Sequence, residues 1–75
     1  MKERDEVENL QKQYIEEIEN LDLKIAKYKK RLDVARRLKD FDEVFICQRL
    51  IKVFNGERED LTASLNAINK YLEED

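Results

Sequence analysis

Two apolar stripes run through the chain. Val7, Leu10, Tyr14, Ile18, Leu21, Ile25, Tyr28, Leu32, Ala35 and Leu38 recur at spacings of three and four residues, close to the 3.5-residue period of a left-handed coiled coil. Val44, Cys47, Ile51, Phe54, Arg58, Leu61, Leu65, Ile68 and Leu72 continue the alternation without a slip, and Arg58 is the one polar member. The pattern predicts helices over about 3–39 and 43–73, joined by a turn at about 40–42, with residues 1–75 forming one unit. Between the stripes lies Lys39-Asp40-Phe41-Asp42-Glu43. There Asp40 is placed to cap the second helix, and Glu43, three residues on, to complete a capping box.

Folding the stripes together about that turn pairs Ala35 with Cys47, Leu32 with Ile51, Tyr28 with Phe54, Ile25 with Arg58, Leu21 with Leu61 and Leu10 with Leu72. It also pairs Leu38 with Val44. The numbers in each pair total 82 or 83 from one end to the other. Independent stripes need not share a register, so this constancy predicts an all-α fold: a long antiparallel helical hairpin with coiled-coil-like packing. Asn55-Gly56 is its weak point, because that dipeptide favours turns. The stripe keeps phase across it, however, so the expectation is a continuous helix carrying glycine at a cost of about 1 kcal/mol.

The stretch from Val44 to Phe54 is more apolar than one seam requires. Ile46, Leu50 and Val53 form a second stripe beside the first, and Phe45 projects elsewhere. A helix apolar on more than one side is expected to be covered on more than one side. Length argues the same way, since 75 residues bury little surface unless the unit associates, binds metal or is cross-linked. Cys47 is the only cysteine and there is no histidine, which removes an internal disulfide and disfavours a zinc site. The expected interface is therefore Phe45, Ile46, Leu50 and Val53, serving a homodimer built as a four-helix bundle and an unidentified protein partner.

Charge is segregated along the hairpin. Residues 24–58 carry eleven Lys or Arg against five acids, a net of +6, whereas the remainder carries four against thirteen, a net of −9. Lys27, Lys30, Arg31, Arg36, Arg37, Lys39 and Arg49 are the candidate contacts to a partner or to phosphates. The same band could equally lie against the acidic end of another copy or simply face water. Nucleic acid ranks behind protein here, because the chain as a whole is negative, at −3.

Catalytic equipment is sparse: one glycine leaves no phosphate-cradling loop, and the commonest general base is missing. Glu16-x-x-Glu19 and Glu57-x-x-Asp60 have the spacing of magnesium-holding carboxylate pairs but read better as solvated charge. Cys47 lies within the seam and is expected to be a small buried hydrophobe rather than a reactive thiol. No enzyme, catalytic residue, metal or cofactor is expected. The segment from Met1 to Glu6 is charged and resembles neither a signal peptide nor a membrane span, which points to a cytoplasmic protein.

The stretch Leu32-x-x-Ala35-x-x-x-x-Asp40-Phe41-Asp42-Glu43, ending at Ile51, resembles the turn of the UVR helical hairpin of nucleotide-excision-repair proteins and some kinase and protease regulators. The likeness covers about 20 residues. That family usually has an Arg-Asp pair where this chain has Gln48-Arg49, and alanines at Val44 and Phe45. The resemblance implies a protein-docking hairpin. The whole architecture also looks like the plasmid RNA-binding regulator ROP, a hairpin that dimerises into a four-helix bundle, although shape alone transfers no function.

Overall fold

A computed structural model describes residues 2–74. All of these are helical except Lys39 and Asp40: α1 spans Lys2–Leu38 and α2 spans Phe41–Glu74. The two helices pack antiparallel into a rod measuring 56 × 14 × 14 Å, the hairpin that the paired stripes predict. Tyr28 and Phe54 share a layer, with ring centroids 5.7 Å apart. Leu21, Ile25, Leu32, Ala35 and Cys47 form the buried seam, and it lies nearer the turn than the open end.

The connection is shorter than the expected turn at 40–42. Helix α1 ends at Leu38, Lys39 lies outside it, and α2 already begins at Phe41. Two backbone bonds explain this: the Asp40 amide donates to the Ala35 carbonyl at 2.9 Å and the Lys39 amide to that of Arg36 at 3.2 Å. Together they form a Schellman motif, whose geometry requires a left-handed residue after the helix. Lys39 supplies it with φ of 56°. The Asp40 side chain then caps α2, accepting from the Glu43 amide at 3.3 Å.

Two local expectations are corrected here. The capping box is only half made, because the Asp40 amide is already committed to Ala35 and the Glu43 carboxylate accepts instead from Arg31. Leu38 does not close a seam layer with Val44. It is 74% exposed, because the helix ends at that point and α2 has no residue positioned to cover it. Arg58, the one polar member of the stripe, brings its guanidinium to the seam edge, where its Nε donates to Asp22 Oδ1 at 2.5 Å.

At Asn55-Gly56 α2 continues unbroken, and a Cβ built on Gly56 meets nothing within 4 Å. Towards the open end the helices are joined by Gln11 Nε2 donating to Asn69 Oδ1 at 2.6 Å. No helix among the described residues is long and apolar enough to cross a membrane.

Candidate docking surface at the turn end

The first fifteen residues of α2 place apolar side chains all round the helix, and α1 can cover only one side of it. Cys47 is wholly buried in the seam. Leu50 is half-buried, and Phe45, Ile46 and Val53 are 58%, 50% and 54% exposed. Ile46 and Leu50 lie three and seven residues beyond Glu43, so they share the side of α2 on which Glu43 reaches Arg31 across the groove. The four expected interface residues therefore do not form one patch. Ile46, Leu50 and Val53 follow one face, while Phe45 stands off it under the Arg49 guanidinium, 5.3 Å from the ring centroid.

Periodicity alone did not reveal three further apolar residues at this end. Val34 is 46%, Leu38 74% and Phe41 73% exposed. Val34, Ala35 and Leu38 floor a shallow groove of about 360 Å³, bounded by the Arg31–Glu43 ion pair. The periodic pattern assigns Leu38 to the seam and Phe41 to the turn. The signal that could have separated them is the Schellman turn, which stops α1 before its last apolar residue finds a partner.

The cations of the turn end differ in what they touch, and Arg37 Nε donates to the Asp33 carbonyl at 3.5 Å. Lys24 lies 5.6 Å from the centre of the Phe54 ring, while Lys27 and Arg31 lie 5.9 and 5.2 Å from that of Tyr28. These cations cover the aromatic layer. The Glu43 carboxylate, first as hydrogen-bond acceptor and then as a charge, raises the Arg31 guanidinium above its ordinary value. Lys30, Arg36, Arg37 and Lys39 are all exposed.

Cys47 is not placed for chemistry. Its Sγ donates to Glu43 Oε1 at 3.5 Å. Burial, followed by the neighbouring Glu43, pushes the thiol above its ordinary value of 9.0, which suppresses the reactive thiolate. The Arg31 charge opposes this shift only in part, and Arg49 turns to Phe45.

Of the carboxylate pairs, Glu57 borders a hollow of about 230 Å³ with Glu17 and Lys24. Among the described residues, no three His, Cys, Asp or Glu side chains converge as metal ligands do. Neither a protein-family model nor a curated protein nor a solved structure matches the chain.

Proposed function

We propose that this hairpin is a non-enzymatic protein-interaction module, an adaptor or inhibitor that works by docking through its apolar, basic turn end. One observation carries the reading. Ile46, Leu50 and Val53 continue an apolar face of α2 that α1 leaves half uncovered. At about 25 cal/mol per Å² of apolar surface removed from water, covering these three side chains is worth a few kcal/mol. That is a large fraction of the stability of so small a unit. Interfaces characteristically surround such an apolar centre with charge, and the Arg31–Glu43 ion pair lies on the same side of α2 as Ile46 and Leu50.

Val53→Glu is the cleanest probe, because Val53 is already more than half exposed and carries little of the hairpin seam. Immobilised wild type should retain a discrete protein from native lysate, Val53→Glu should lose it, and Asn66→Glu near the other end should keep it. Loss with neither variant would show that the surface plays no part. A second reading, binding to nucleic acid, is favoured by the exposed Lys30, Arg36, Arg37 and Lys39. Nuclease treatment of the lysate would abolish capture through nucleic acid and leave capture through protein docking unchanged.

A further inference from the structure

The charge halves and the extra stripe have a common solution. We propose that the turn-end surface is covered by a second copy of the chain running in the opposite direction, basic turn half on acidic open half. This rests on the docking reading above and names its occupant.

Overlaying two turn ends would match stripe to stripe but set a net of +6 against +6. Facing groups fall within the screening length of about 8 Å at physiological salt, so that arrangement is strongly opposed. Reversing one copy replaces this repulsion with attraction to the half carrying −9.

The acidic half also offers apolar surface on the required side. Tyr71 is 43% exposed and lies eighteen residues beyond Val53, which at 3.6 residues per turn returns it to the same face of α2. A two-fold axis at the level of Asp60, near the middle of the 56 Å rod, sets Leu50 of one copy within about one residue's rise of Tyr71 of the other. Where Asp60 approaches its own image, Lys24 stands beside Glu57, so that level is not purely acidic.

The charges of α1 fit the same axis by axial level. By the seam register Asp60 lies level with residues 22 and 23, so facing α1 positions in the two copies total about 45 at equal helical rise. That sets Lys39 level with Glu6, Arg37 with Glu8 and Lys29 with Glu16, and Lys27 close to Glu17. A basic run and an acidic run on one helix thus become complementary only when the copies are reversed.

Energy transfer between singly labelled copies tests the proposal, with Cys47→Ala removing the native thiol and circular dichroism confirming the helices. Labels enter at Gln48→Cys in one batch and Asn66→Cys in another, both at exposed positions. Reversed copies bring Gln48 within about 9 Å axially of the partner's Asn66 but hold the two Gln48 positions about 36 Å apart. Mixed labels should therefore transfer strongly, and transfer between two Gln48 labels should be weak. Molar salt should raise the dimer dissociation constant by about tenfold or more.

Copies carrying Lys27→Glu with Lys30→Glu should pair with copies carrying Glu16→Lys with Glu17→Lys in preference to their own kind. Strongest transfer between two Gln48 labels would overturn the reversed arrangement. Sedimentation of unlabelled wild type as a 9.1 kDa monomer at high micromolar concentration would overturn self-association. In that case, a partner still lost with Val53→Glu would leave the docking reading standing.

Discussion

Arg58 and Asp22, thirty-six residues apart, are joined by an Nε to Oδ1 hydrogen bond of 2.5 Å across the hairpin. Both side chains are roughly half exposed, at 42% and 51%. An ion pair in that setting contributes little net stability, yet it favours one register over its neighbours. Asp22 rehydrates when left alone, and leucine at position 58 would lie opposite Ile25, which is only 7% exposed. Arg58→Leu is therefore expected to raise the melting temperature while admitting additional oligomeric states by sedimentation. In a double-mutant cycle with Asp22→Asn and Arg58→Gln, the coupling should vanish in molar salt. A lower melting temperature for Arg58→Leu at low and high salt alike would show that the pair is a structural necessity.

Lys39 holds the left-handed conformation, φ 56°, that the Schellman turn demands. Glycine adopts it without the side-chain penalty, so Lys39→Gly should stabilise the hairpin by about 1 kcal/mol. Asp40→Ala removes the cap on the Glu43 amide and should cost about 1 kcal/mol. Urea denaturation of both variants measures these changes, and equal effects of the same sign would contradict the turn geometry.

Gly56 is an exposed glycine within a continuous helix, with open space where a methyl group would go. Gly56→Ala should consequently gain up to about 1 kcal/mol. A loss in thermal melts would mean that α2 bends there in solution.

The Cys47 thiol makes stability depend on alkaline pH. An acid whose folded value is raised keeps its proton in the native state, so above 9.0 the unfolded chain loses the proton first. Its contribution is complete below 9.0 and is lost as pH rises from there through the raised folded value. Wild-type stability should fall across that window more steeply than that of Cys47→Ala, and the native thiol should resist alkylation at neutral pH. Parallel curves for the two proteins would show that the thiol is not buried.

Most of the hairpin was legible because the seam repeats: Tyr28 opposite Phe54 follows from the constant register alone. The ends of that repeat were not legible. Leu38 keeps the period but has lost its helix partner, and Glu43 fits a capping box whose amide Asp40 has already spent on Ala35. Periodicity describes which residues share a face, whereas a cap depends on competition between hydrogen bonds only a few residues apart. The docking stripe was visible as excess apolar residues, yet Val34, Leu38 and Phe41 became part of the surface only once the turn was seen to stop α1 beneath them.

A photo-crosslinking side chain at Val53, compared with one at Asn55, tests the docking surface most directly. The two positions are both exposed and two residues apart, hence on nearly opposite sides of α2. Irradiation in native lysate should give one dominant adduct from Val53, whether with a second copy or with another protein, and little from Asn55. Equal, diffuse labelling from both positions would contradict the claim that this face of the turn end is where the protein binds.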